Sequence, residues 1–192
     1  MESGATHWYW LGGRPALDLV NTRRERWRRA YECLCRPEDV SAWLVEAKLL
    51  AAPMTVPAVV LLEARALREA IDAGVRAVAE GAPADPAALA LIDDWLVHAG
   101  PRPRLGRGPD GLPVLGERPA ADSPRRALGT IALDAARMLG LPEERERIRI
   151  CASETCSARF YDRSPAGRRR WCSMAGCGNA AKARRHRARA AA

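Results

Sequence analysis

Apolar positions in the first 150 residues recur mostly at helical spacing, and the longest run sets the frame. Val60, Ala64, Leu67, Ile71 and Val78 return every three, four or seven residues. They predict one buried helix face from about Val56 to Glu80, with Gly81 as its stop. A shorter stripe, Val40, Trp43, Leu44 and Ala47, follows Pro37. Proline at a first turn, with Glu38 and Asp39 near the positive end of the dipole, suits a helix start. Further helices are expected over Pro86 to His98 and over Ala127 to Leu139, the latter after the cap Asp122-Ser123-Pro124 and ending at Gly140. Leu17 to Trp27 is also predicted helical, with Leu17, Val20 and Arg24 on one side and Asp18, Asn21 and Glu25 on another. Ahead of it, His7 to Trp10 form an aromatic extended segment ending at Gly12-Gly13.

The pattern changes from Gly100 to Glu117, where Pro and Gly interrupt short apolar pieces. Arg104-Leu105 and Leu112 to Leu115, on either side of Pro109-Asp110-Gly111, predict a hairpin or a wide loop. Leu141 to Arg149 reads as a charged connector. The expected fold class is therefore mainly α. Residues 1–148 form a helical domain with a small β-hairpin, and residues 149–192 form a separate module.

That module is defined by cysteines. Cys151 and Cys156 enclose four residues, Cys172 and Cys177 enclose four more, and fifteen separate the pairs. Tetrahedral zinc needs four soft donors converging from two short loops, which two matched pairs supply. The four cysteines are thus the expected Zn²⁺ ligands, with buried or redox-paired thiols as the bland alternative. Arg159-Phe160-Tyr161 and Arg169-Arg170-Trp171 read as two short strands about Ser164 to Gly167. The Ala- and Arg-rich end reads as a helix, which makes the module treble-clef-like: knuckle, hairpin, basic helix.

Charge sharpens the picture. Residues 151–192 carry ten basic side chains against Glu154 and Asp162, which equals the whole-chain excess of +8; residues 1–150 hold 21 of each sign. Four thiolates and one Zn²⁺ would leave the module at about +6. Arg168, Arg169, Arg170, Lys182, Arg184, Arg185, Arg187 and Arg189 are therefore candidate nucleic-acid contacts, set against a basic helix that only solvates. Trp171 could stack on a base, though a module this small needs an apolar plug, the reading we favour. Cys33 and Cys35, on different sides of a helix, read as packing cysteines, and the isolated His7 and His98 as structural or solvent-facing. Arg14, Asp18 and Asn21 either tie the first helix to neighbouring backbone or line a small-ligand pocket.

No catalytic motif is present: there is no phosphate-cradling Gly-rich loop, no nucleophile elbow and no histidine pair at metal spacing. A four-thiolate site is closed to substrate water, so the chain is expected not to be an enzyme. No stretch approaches the roughly 20 apolar residues of a membrane helix, and the start lacks the features of a secretory signal. Clustered cysteines in a cytoplasmic setting point to metal rather than disulfide.

Phe160-Tyr161-Asp162-Arg163-Ser164, Arg169 to Met174 and Cys177-Gly178-Asn179 resemble the bacterial CGNR zinc finger. Gly12-Gly13-Arg14 with Leu17 to Thr22 resembles the opening of the ABATE domain that precedes that finger. The resemblance spans nearly the whole chain and implies a stress-associated transcription regulator that binds duplex DNA through the finger. Its N-terminal domain would sense a small molecule or form a homodimer. Alternatives are a zinc-dependent protein- or RNA-interaction module and a thiol-zinc redox sensor. One position departs from the motif: Ala180 stands where the family has Arg.

Overall fold

The computed structural model describes residues 8–100, 102–118 and 123–190, so Met1 to His7 and Asp122 lie outside the described residues. The helical domain is built around α3 (Ala58–Glu80), whose Val60, Ala64, Leu67, Ile71 and Val75 are buried in one cluster. Gly81 closes it in the left-handed conformation, φ 64°, which glycine adopts without a Cβ penalty. Against it pack α1 (Pro15–Val20), α2 (Pro37–Glu46), α4 (Pro86–Leu96) and α5 (Pro124–Gly140). Each buried Leu, Ile or Val contributes about 1.5–3 kcal/mol, and α5 alone places Leu128, Ile131, Met138 and Leu139 there. Small residues set the spacing. A Cβ on Gly74 would sit 2.8 Å from Leu139, and one on Gly129 would sit 2.6 Å from the backbone of His98.

Helix starts follow the expected caps. Ser123 Oγ accepts from the Arg126 N–H at 3.3 Å, and Asp39 Oδ2 accepts from the Cys35 and Arg36 N–H groups at 2.8 and 2.7 Å. The predicted hairpin is present as β3 (Arg102–Arg107) and β4 (Pro113–Arg118), in antiparallel register Leu105 to Leu115. Leu105, Leu112, Val114 and Leu115 on it are exposed.

Four expectations are corrected. The helix predicted from Leu17 to Trp27 stops at Val20, because its last carbonyls are taken by side chains: Leu19 C=O accepts from Thr22 Oγ1 at 2.7 Å, and Val20 C=O from Arg26 at 3.0 Å. The chain then reverses in a ribbon of β1 (Arg23–Arg24) and β2 (Tyr31–Glu32). Cys33 and Cys35 follow that ribbon in irregular backbone rather than on a helix; Cys33 is buried and Cys35 exposed. The connector after Gly140 is a short helix α6 (Pro142–Arg145) and a strand β5 (Ile148–Ile150).

The fourth correction concerns the finger's hairpin. Its strands are β5 and β6 (Arg159–Tyr161), paired Ile148 to Tyr161 and Ile150 to Arg159, with the first cysteine loop as their turn. Arg169 to Trp171 is irregular, because the buried Asp162 carboxylate takes the N–H of Arg169 at 2.7 Å as well as that of Ser164 at 2.9 Å. A π-helical turn, Met174–Gly178, leads into α7 (Asn179–Ala190), the predicted basic helix.

Candidate metal centre

Each cysteine pair sits in a loop closed by short backbone bonds. In the first, Cys151 N–H donates to Ala158 C=O at 2.9 Å and Cys156 N–H to Ser153 C=O at 3.0 Å. In the second, Gly178 N–H donates to Ser173 C=O at 3.0 Å while Ser173 Oγ accepts from Gly176 N–H at 3.2 Å. The loops converge so that the Sγ atoms of Cys151, Cys156, Cys172 and Cys177 all lie within 4.8 Å of one another. Among the described residues this is the one group of three or more candidate donors that could hold a metal ion.

The spacing discriminates between metal and disulfide. Cys156 to Cys172 and Cys172 to Cys177 are each 3.8 Å between sulfurs. A tetrahedron with Zn–S bonds of about 2.3 Å has edges of about 3.8 Å, whereas a disulfide requires about 2.05 Å. Electrostatics point the same way. Hydrogen bonds from Cys156 and Cys172 hold Cys151 far below the ordinary thiol range, while those bonds and the charge beside them push Cys156 and Cys172 upward. Four thiolates held this close require a divalent ion to offset their mutual repulsion.

Phe160, Ala158 and the half-buried Trp171 wrap the centre with Leu11, so Trp171 serves as the apolar plug. Of the candidate nucleic-acid contacts, Lys182, Arg185, Arg187 and Arg189 are exposed on α7, and Arg184 is half-buried. Arg168, Arg169 and Arg170 are exposed beside the second loop. Arg169 also donates to Cys172 C=O at 2.9 Å and lies 5.2 Å from the Phe160 ring, which braces the knuckle; Arg170 stacks 5.2 Å from Trp171. Ala180 is exposed in the first turn of α7.

Arg14, Asp18 and Asn21 are engaged within the chain. Asp18 Oδ1 accepts from Gly12 N–H at 2.7 Å, and Arg14 pairs with Asp134 at 2.8 Å and Glu144 at 2.6 Å. Asn21 clamps the backbone of Arg159 in both directions, donating to its C=O and accepting from its N–H, each at 2.9 Å. His98 packs on Trp95, 5.3 Å between rings.

Two features carry no local signal in the sequence. Arg159, 2% exposed, reaches back to Asp72 on α3 at 2.7 Å. The ribbon after α1 docks on the first cysteine loop, with Trp27 Nε1 donating to Glu154 C=O at 3.2 Å. Only the run of five arginines between Arg23 and Arg29 could have drawn attention to it.

A helical domain closed by a four-cysteine knuckle and a basic helix defines the class. A family model described as "Putative stress-induced transcription regulator", ABATE, matches residues 13–142, and a CGNR zinc finger model matches residues 147–190. The chain belongs to the ABATE family and carries the CGNR zinc finger at its C-terminal side. No curated protein shows a significant match to it. Among the described residues no helix is long and apolar enough to cross a membrane.

Proposed function

We propose that this chain is a cytoplasmic transcription regulator that binds duplex DNA through a zinc-held finger. The observation that carries the reading is the tetrahedral sulfur spacing at the foot of α7, a helix with five basic residues and no acid. Cys151, Cys156, Cys172 and Cys177 would together ligate a single Zn²⁺ in a closed structural site that fixes the loop geometry and performs no bond chemistry. Lys182, Arg184, Arg185, Arg187 and Arg189, with Arg168 to Arg170, then face a polyanion. Phosphate neutralisation supplies affinity by releasing condensed counterions, a gain that shrinks as salt rises, so binding weakens steeply with salt.

The helical domain would hold the finger and supply regulation. A groove of about 1100 Å³ runs between α3, α4, α5 and β5, floored by Leu89, Ile92, Leu96 and Leu139 and reaching Ile148 and Ile150 just before Cys151. A small apolar ligand there would touch the strand that leads into the knuckle. The exposed β3–β4 hairpin is the surface on which a second copy would pack.

The test is a titration of the purified zinc-loaded protein with duplex DNA, single strands and RNA across a salt series. Tightest binding to duplex, falling with salt, is expected. Preference for RNA would favour the interaction-module reading, and absence of binding to any nucleic acid would sink the proposal.

A further inference from the structure

The ribbon after α1 has the features of a contact element rather than of a core element. Its strands are two residues each, and its tip, residues 25–30, is closed by Arg28 and Ala30 N–H groups donating to Glu25 C=O at 2.8 and 2.9 Å. Glu25 and Ala30 both adopt positive φ, 47° and 51°, where glycine would be the unstrained choice. That conformation presents Trp27, 48% exposed, with Arg28 and Arg29 also exposed, and Tyr31 stands 56% exposed at its base. None of these four joins the hydrophobic core.

Beneath the tip the ribbon is fastened by charge. Arg26 reaches Glu69 at 2.6 Å and Asp72 at 3.4 Å, and Glu32 holds Arg68 at 2.6 Å. Glu32, Glu69 and Asp72 thus lie under the ribbon, where Arg23 also reaches Glu69 at 3.5 Å, while the tip carries the exposed Arg28 and Arg29, the latter paired with Glu25 at 2.9 Å. Arg24 is held between the rings of Tyr9 at 4.1 Å and Tyr31 at 5.2 Å, which orients its planar fork in advance.

The ribbon also lies beside the knuckles. Trp27 bonds to Glu154 in the first loop, and Arg159 stacks 5.3 Å from the Trp27 ring. Arg23, Arg24 and Glu25 share the walls of a cleft of about 500 Å³ with Ser173, Gly176 and Cys177, directly before α7. A basic, aromatic ribbon and a basic helix therefore flank the cysteine loops.

We infer that the Arg23–Tyr31 ribbon is a second nucleic-acid contact, engaging the same duplex as the finger through phosphates and through the edge of Trp27. This rests on the DNA-binding reading above. Exposed arginines suit the phosphate oxygens that line a duplex, and an aromatic edge beside them suits sugar and base edges in a groove.

The test uses the full zinc-loaded chain and one duplex, titrated at several salt concentrations. The ribbon variant is Arg28→Gln/Arg29→Gln, a finger variant is Arg185→Gln/Arg187→Gln, and Lys48→Gln/Arg137→Gln on the helical domain matches the change in net charge. The ribbon variant should keep its zinc content and melting temperature, bind about tenfold more weakly near 0.1 M salt, and lower the slope of log affinity against log salt by about one to two. The charge-matched variant should bind as wild type does. A ribbon variant superimposable on wild type, beside a weakened finger variant, overturns the ribbon inference alone. Equal loss in the charge-matched variant overturns it as well, because net charge then explains the effect. Failure of wild type to bind the duplex removes the DNA-binding reading together with this one.

Discussion

At the scale of single residues, the side chains offered by the sequence as polar oddities on α1 are fasteners. Asp18 shows what such a fastener costs. Burial pushes its carboxyl up to about 6, with Asp134 adding to the rise, against the Gly12 N–H and Arg163, which draw it down. The folded state thus holds the Asp18 proton more tightly than the unfolded chain does. That contribution to stability is complete below about pH 3.8 and is lost as pH rises through about 6. Asp18→Asn keeps an acceptor for Gly12 and removes the charge. Its stability relative to wild type should therefore improve from pH 4 to pH 7 by about 1–2 kcal/mol, measured by urea denaturation; a constant difference across that range would refute the ionisation argument. Asp72 is the opposite case. Its partner Arg159 is 2% exposed, so Asp72→Ala leaves a buried guanidinium without its charge and should cost about 3 kcal/mol or more. The same denaturation series checks it, and a loss under 1 kcal/mol would show the pair to be dispensable. Residue types were legible here, but partners were not: Asn21 and Arg159 are 138 positions apart, and no local pattern joins them.

At the scale of elements, legibility followed length and periodicity. The 23-residue α3 repeats its apolar face often enough to be read directly, and a proline or serine cap marks the starts of α2 and α5. The first helix misled because Leu17 to Trp27 has a helical rhythm, while side-chain bonds from Thr22 and Arg26 end it at Val20. The finger's second strand misled because one buried carboxylate, Asp162, takes the N–H a strand at Arg169 would have used. The cysteine loops and α7, in contrast, followed from spacing and composition. Ala180 tests what α7 does. It is exposed one residue into the helix and three beyond Cys177. Ala180→Arg should therefore be accommodated without repacking. If α7 faces DNA there, the substitution should tighten binding and steepen the salt slope by about 0.9, one further phosphate. Binding curves that superimpose on wild type would place position 180 off the nucleic acid.

At the scale of the whole molecule, composition marks residues 151–192 as an appendage, and specific contacts tie them to the helical domain. Ile148 of β5 lies in the main core, Tyr161 N–H donates to Gly12 C=O at 2.8 Å, and the Asn21 clamp and the Arg159–Asp72 pair join β6 to α1 and α3. Sequence could show neutrality over residues 1–150 but not its anisotropy, since charge counts carry no direction. The coupling has a thermodynamic consequence. The loops enclosing the cysteines hold few apolar side chains, so metal should supply much of their folding free energy, on the order of 10 kcal/mol in comparable peptides. Once the metal leaves, β6 should lose its support and Arg159 should withdraw, leaving Asp72 with only its longer contacts to Arg26 at 3.4 Å and Arg76 at 3.7 Å, and Asn21 without its backbone partner. Chelating the zinc should then lower the melting temperature of the helical signal itself by about 5 °C or more, because loss of 2–3 kcal/mol shifts a chain of this size by that amount. Tryptophan fluorescence and far-ultraviolet circular dichroism should report the same midpoint, in one cooperative transition. A helical midpoint that stays put while zinc is released would show that the finger and the helical domain fold independently, and that the buried pair between them is an incidental contact.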